Sequence, residues 1–253
     1  YDVSYDENSI FVAGKQIRVL AERDPALLPW GKIGIDVVIE ATGLFVQPEK
    51  ARAHINAGAK KVVISAPAKG EGAKFIVLGV NEHELTREDD IISNASCTTN
   101  CIAPVMAVLE REFGIEKSLM TTVHSYTASQ RILDAPAKDL REARSAAENI
   151  VPTTTGAAIA TAKVIPSLVD KFDGLSVRVP AAVVSLSDIT AVLKRNTTKE
   201  EINEVFKRAA ADPFYQGILT VTEEPLVSMD FKGNSHSSIV DLELTNVVGG
   251  NLI

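Results

Sequence analysis

Asp36-Val37-Val38-Ile39-Glu40-Ala41-Thr42-Gly43, then Pro48 to Ala57, then Gly58, then Lys61-Val62-Val63-Ile64-Ser65 is the stretch that decides the fold class. The two β-branched runs read as buried strands. Pro48 opens a helical segment between them and Gly58 stops it. Phe75-Ile76-Val77-Leu78-Gly79-Val80 reads as a third buried strand. Strand, helix, strand without a hairpin turn is the pattern of a parallel α/β sheet. Ligands of such sheets sit beyond the strand C-terminal ends. Thr42-Gly43 and Ser65-Ala66 occupy two such ends, although glycine and hydroxyl residues there also serve as ordinary turn formers. Upstream, Ser9-Ile10-Phe11-Val12 and Gln16-Ile17-Arg18-Val19-Leu20 flank Ala13-Gly14-Lys15 as a hairpin.

Downstream the chain reaches Ile91-Ile92-Ser93-Asn94-Ala95-Ser96-Cys97-Thr98-Thr99-Asn100-Cys101-Ile102-Ala103-Pro104. An apolar strand end gives way to small polar residues and then to a long amphipathic helix, expected to run from Cys97 to about Phe113. Cys97 therefore lies at a helix N-terminus, where unpaired N–H groups and the positive dipole end favour a thiolate. A cysteine in that place also suits plain packing. His124 closes the strand Ser118–Val123, which follows the turn at Gly114. A helix and a returning strand can bring residues 97 and 124 together, and an imidazole beside the thiol would lower its pKa and shuttle a proton.

The texture changes after Cys97. Ser118–Val123, Leu175–Val179, Ala182–Leu193 and Ser238–Val247 read as strands, and Thr155–Leu168 and Thr198–Ala210 as helices. Thr198 with Glu201 forms a capping-box pattern ahead of Ile202, Val205, Phe206 and Ala209. The expected architecture is a mostly antiparallel sheet with helices on one face. Between the halves of this region, Arg131 to Pro152 is a polar, alanine-rich segment carrying Arg131, Arg141 and Arg144.

The 253 residues carry a net charge of −7 without a long block of like charge. That argues against nucleic acid and against a polybasic membrane contact. No apolar run approaches the roughly 20 residues of a membrane-spanning helix, and no signal peptide is visible. Two cysteines at i, i+4 make no disulfide framework, and a reducing cytoplasm suits a working thiol. Two cysteines and four scattered histidines are too few for a metal site.

Ser93-Asn94-Ala95-Ser96-Cys97-Thr98-Thr99-Asn100-Cys101 resembles the active-site signature of phosphorylating glyceraldehyde-3-phosphate dehydrogenases. Ile64-Ser65-Ala66-Pro67, His124-Ser125-Tyr126-Thr127, Pro152-Thr153-Thr154-Thr155-Gly156-Ala157-Ala158 and Arg178-Val179-Pro180 are similar to further family segments, in family order, so the likeness covers essentially the whole chain. The resemblance implies an α/β plus α+β protein. Residues 1–96 would form a partial Rossmann-like NAD(P)-binding domain and 97–253 the catalytic domain. It also implies a chain that is a fragment at both ends, without the first βαβ unit and glycine-rich turn and without a final strand and helix. Gly70-Glu71-Gly72 begins like a dinucleotide fingerprint but opens no helix and reads as a loop.

The reaction implied is glycolytic oxidation of glyceraldehyde 3-phosphate, with inorganic phosphate as second substrate, by a cytoplasmic homotetramer. Cys97 would be the nucleophile and His124 the base. Arg178 would bridge two anion pockets, Thr127 would hold the substrate phosphate, and Ser96, Thr98, Thr155 and Gly156 the attacking phosphate. Arg23, Thr42, Ser65 and Pro136 match cofactor contacts. Pro136 is of the type usual with NAD, while Ala135 replaces a leucine common beside it; NAD is favoured and NADP stays open. Residues 131 to 152 match a loop that crosses a subunit interface. Ile159 and Val183 depart from common family residues, Lys and Asn. Two rival activities share these features: erythrose-4-phosphate dehydrogenase, against which Thr127 argues, and a Cys–His hydrolase or acyl transferase without a nicotinamide.

Overall fold

The computed structural model describes residues 1–253. The chain forms two compact units, one of Tyr1–Lys74 with Arg87–Ile92 and one of Phe75–Thr86 with Ser93–Ile253. No helix is long and apolar enough to cross a membrane.

The first unit opens with β1 (Val3–Tyr5), β2 (Ser9–Val12) and β3 (Lys15–Arg18), a three-stranded antiparallel sheet. Ala13 and Gly14 connect β2 to β3 with positive φ at both positions, +48° and +77°. That handedness matches the strand twist, as expected of a two-residue hairpin. The short helix α1 (Trp30–Ile33) leads to β4 (Val37–Glu40), α2 (Pro48–Asn56) and β5 (Lys61–Ile64). β4 and β5 pair in parallel, as their sequence requires. Val38, Glu40, Val62 and Ile64 are buried, but Val37 and Ile39 are exposed, so β4 is covered on one face rather than two. α2 starts on Pro48 and buries Pro48, Ala51 and His54, the stripe a helical period selects.

β6 (Lys74–Phe75) and β7 (Ile91–Ser93) complete a sheet in the order β4-β5-β7-β6. The strand expected over residues 75–80 stops at Phe75. Asn81 ends it: its Oδ1 accepts from the Val77 N–H and its Nδ2 donates to the Phe75 carbonyl, both at 2.9 Å. These bonds fold the run into a turn, in which Gly79 has φ +79°.

In the second unit α3 (Cys97–Phe113) runs into β8 (Ile115–Ser125) through Gly114. β9 (Val151–Thr154), α4 (Ala157–Val164), β10 (Phe172–Val179) and β11 (Leu186–Leu193) follow. α5 (Lys199–Ala211), β12 (Leu219–Thr222) and β13 (Ser238–Asp241) end the order. The main sheet runs β11-β8-β10-β9. Its outer pairings are antiparallel and its central β8–β10 pairing is parallel. Ser118, Met120, Thr122 and His124 alternate onto the buried face of β8, and Leu119 and Val123 onto the open face. α3 rests on β8 and β11, and α4 on β10.

Three elements of the second unit are shorter than expected from the chain alone. β11 begins at Leu186 rather than Ala182, because Val184 takes φ +71° and breaks the extended run. β13 stops at Asp241, whose carboxylate accepts from the Glu243 N–H and starts a 3-10 turn. α4 spans Ala157–Val164 instead of 155–168; Gly156 is its N-cap and Pro166 begins a separate 3-10 turn. α5 has the expected N-cap, with Thr198 Oγ1 accepting from the Glu201 N–H. The reciprocal half of the capping box is replaced, because the Glu201 carboxylate binds Thr197 Oγ1 and Arg195 instead. Ile202, Val205, Phe206 and Ala209 form its buried stripe, and full burial contributes roughly 1.5–3 kcal/mol for each of the three larger side chains.

Candidate active site

The approach to Cys97 is a built corner. Ala95, buried, holds φ +56°, a conformation uncommon outside glycine. Ser96 is the N-cap of α3, and its Oγ accepts from the Thr99 N–H at 3.0 Å. Asn100 Nδ2 donates to the carbonyls of Asn94 and Ser96 at 2.8 and 2.9 Å, tying the loop to the first turn of the helix. Cys97 is the first helical residue and its side chain is exposed.

His124 reaches it from the end of β8. Sγ and Nε2 are 3.5 Å apart, while Nδ1 lies 2.7 Å from the Ser125 carbonyl oxygen. A carbonyl only accepts, so Nδ1 carries a proton; Nε2 accepts from the thiol when the ring is neutral and donates to the thiolate when the ring is charged. The His124 hydrogen bond is the main reason that the Cys97 thiol lies below its ordinary pKa. Burial opposes it, and the charge of His124 with hydrogen bonds from Thr98 adds to it. Cys101, one turn on, is pushed the other way by burial. The two thiols of the chain are thus shifted in opposite directions.

The parallel pairing of β10 with β8 sets Arg178 directly opposite His124. Its guanidinium is desolvated, which lowers its pKa, while Cys97 and Glu142 raise it. One head nitrogen makes a bond of 3.5 Å to the Ser125 carbonyl, and Nε is buried without a partner. A buried guanidinium donor without a protein acceptor fits an anion, for which a guanidinium fork is well shaped. Ser96, Cys97, Thr98, His124 and Arg178 are therefore one cluster.

The remaining expected hydroxyls lie on segments that follow β8 and β9. Thr127 follows β8, with its Oγ1 3.0 Å from Ser129 Oγ. Thr155 Oγ1 accepts from the Ala157 N–H at 3.2 Å, and Gly156 caps α4 with nothing within 4 Å of where a Cβ would sit. Pro136 is exposed, and its carbonyl accepts from Arg131 Nε at 3.1 Å within the 131–152 segment. In the first unit, Thr42 and Ser65 sit exposed at the C-terminal ends of β4 and β5, and Arg23 is exposed before the 3-10 turn at Pro25–Leu27. Hydroxyls and an open Gly43 turn, with no atom within 4 Å of its missing Cβ, form a donor set that suits a dinucleotide at a parallel strand end.

Two residues close to the site were not singled out from the chain. Asn100 lay within the quoted signature, but nothing in its type indicated that it would clamp the preceding loop. Glu142 acts on Arg178 by charge from within the 131–152 segment, and its spacing from Arg178 carries no periodic signal.

A family profile described as "Glyceraldehyde 3-phosphate dehydrogenase, C-terminal domain" matches residues 96–253. One described as "Glyceraldehyde 3-phosphate dehydrogenase, NAD binding domain" matches residues 1–48. The glyceraldehyde-3-phosphate dehydrogenase of Zymomonas mobilis is 55% identical over 250 residues, 99% of this chain and 74% of its own length. That of Geobacillus stearothermophilus is 53% identical over 253 residues, 100% of this chain and 75% of its own. Glyceraldehyde-3-phosphate dehydrogenase A, chloroplastic, of Scenedesmus vacuolatus is 53% identical over 248 residues, 98% of this chain and 79% of its own. With an activated cysteine, a histidine and an unpartnered arginine in one cluster, and with both profiles matched in order, the chain belongs to the glyceraldehyde 3-phosphate dehydrogenase family.

Proposed function

We propose that the protein catalyses the phosphorylating oxidation of glyceraldehyde 3-phosphate to an acyl phosphate, with NAD as cofactor. The observation that carries this reading is the Cys97 Sγ–His124 Nε2 approach of 3.5 Å beside the unpartnered Arg178 Nε. The Cys97 thiolate adds to the aldehyde carbon, and the resulting oxyanion takes the proton held on His124 Nε2 to give a thiohemiacetal. His124 Nε2 then accepts that hydroxyl proton as the carbon loses hydride and becomes a thioester. NAD, when bound, supplies the acceptor for that hydride. A phosphate oxygen attacks the thioester carbon, the C–S bond breaks, and the thiolate returns. The thioester retains the oxidation energy that a free carboxylic acid would lose. A positioned base of this kind contributes about 10²–10⁴-fold.

Arg178 neutralises phosphate on both sides of this exchange. Thr127 serves the substrate phosphate, and Ser96, Thr98, Thr155 and Gly156 serve the attacking one. Arg23, Thr42, Ser65 and Pro136 hold the cofactor. Residues 1–96 act as the nucleotide-binding part and 97–253 as the catalytic part, within a cytoplasmic homotetramer. The names of the relatives favour the three-carbon aldehyde over erythrose 4-phosphate and over a hydrolase. The test is NAD-dependent absorbance of the reduced cofactor with glyceraldehyde 3-phosphate, with and without phosphate. Turnover of the Cys97→Ser enzyme at the wild-type rate, or a marked preference for the four-carbon sugar, would overturn the reading.

A further inference from the structure

The first unit buries a second polar chain that the proposed chemistry does not use. Glu40 and His54 are each 4% exposed. Trp30 Nε1 lies 3.0 Å from His54 Nδ1, and His54 Nε2 lies 2.9 Å from Glu40 Oε2. An indole N–H can only donate, so Nδ1 of His54 is the acceptor and its Nε2–H donates to the carboxylate. Glu40 Oε1 accepts both from the Thr42 N–H, at 2.8 Å, and from the Thr42 hydroxyl. Thr42 Oγ1 in turn accepts from the Leu44 N–H at 3.1 Å. Every link in this series has its polarity fixed by Trp30 at one end.

The surroundings hold the series rigid. The His54 ring lies between Trp30, at a centroid distance of 6.2 Å, and the edge-on Phe45, at 6.3 Å. Gly31 N–H bonds to the Ala57 carbonyl at 3.0 Å. A Cβ on Gly58 would stand 2.5 Å from Gly31, so only glycine permits α1 to press against the end of α2 and bring Trp30 onto His54. Burial alone would raise the Glu40 carboxyl, but bonds from Thr42 and His54 hold it below the usual range. A buried ionised carboxylate is costly unless hydrogen bonds satisfy it, and those bonds organise their donors. What it organises is the exposed Thr42-Gly43 turn at the end of β4.

We propose that His54 and Trp30 are positioning residues for the dinucleotide: acting through Glu40, they hold the Thr42-Gly43 turn in its binding conformation before the cofactor arrives. This rests on the reading of Thr42 as a cofactor contact. A preorganised turn spares the ordering cost on binding, so loss of the chain appears in cofactor affinity and not in turnover at saturation.

The experiment compares His54→Leu, His54→Gln, Trp30→Phe, Thr42→Val and the His54→Leu/Thr42→Val double variant in the full enzyme. Calorimetric Kd for NAD, KM and kcat, and the unfolding midpoint without ligand are measured for each. His54→Leu is expected to weaken NAD about tenfold with kcat changed less than about twofold. His54→Gln, whose amide can both accept from Trp30 and donate to Glu40, is expected to recover most of that loss, and the double variant to be no weaker than Thr42→Val alone. Trp30→Phe keeps a ring and is expected to weaken NAD about threefold, which carries the test if His54→Leu does not fold. Wild-type affinity in both His54→Leu and Trp30→Phe, beside a weakened Thr42→Val, overturns the inference and leaves the Thr42 contact standing. Wild-type affinity in Thr42→Val removes the contact itself and the inference with it. Equal weakening by His54→Leu and His54→Gln makes the histidine a packing residue and also overturns it.

Discussion

Replacing His124 by Asn removes the imidazole 3.5 Å from the Cys97 sulfur while leaving a polar side chain at the end of β8. Two unit charges at that separation attract by about 1 kcal/mol in bulk water and about 5 kcal/mol at an effective dielectric of 20. Cys97 is an exposed residue whose sulfur is only part-buried against His124, so the attraction to a charged imidazole lies between these limits and nearer the water end, at roughly 1–2 kcal/mol. Removing that attraction is expected to raise the thiol pKa in the variant. The helix dipole and the Thr98 bonds remain and keep part of the shift. The assay is the rate of iodoacetamide alkylation of Cys97 as a function of pH. The wild-type curve should reach half its plateau below the ordinary cysteine value of about 8.5. The His124→Asn curve should move to higher pH, with a similar plateau at alkaline pH. An unmoved midpoint would show that the imidazole does not set the thiolate population, and the reasoning about the pair would fail.

Arg178→Lys keeps the charge but loses the planar fork, and KM for phosphate is expected to rise about tenfold with the thiol still alkylatable; steady-state kinetics at varied phosphate check it. Gly174 pairs with Met120 in the β8–β10 ladder, and a Cβ there would lie 2.5 Å from the Met120 carbonyl oxygen. Gly174→Ala should therefore cost about 1–3 kcal/mol, seen as a lowered denaturant midpoint. Glu40 has its folded-state pKa depressed from 4.5. Its stabilisation is present above that value and is lost as pH falls through the lower folded one. Glu40→Gln should flatten the acid limb of the stability curve below about pH 4.5, as read by denaturant unfolding across pH.

Much of the fold and part of the candidate site were legible in the residues. The strand-helix-strand run at 36–65 and the helix Cys97–Phe113 follow from short-range periodicity and from punctuation by Pro48, Gly58 and Gly114. Strand ends were less legible, because they depend on side-chain capture. Asn81 closes the run after Phe75 and Asp241 closes β13, and neither bond has a periodic signature. The Glu40-His54-Trp30 series was invisible for a related reason. Its members fall on a strand, a helix face and a short helix start, and their link is a matter of where three side chains meet.

The chain by itself determined that a thiol would stand at a helix start and that two apolar strands separated by a helix would end in small hydroxyl residues, since these follow from residue types and hydrogen bonding within short segments. Only the tertiary structure decided that His124, 27 residues away, faces that sulfur. It also decided that β10 lies parallel to β8 with Arg178 opposite His124. Strand pairing is chosen by the summed burial of distant segments, so the meeting of sulfur, imidazole and guanidinium becomes definite only once the sheet has closed.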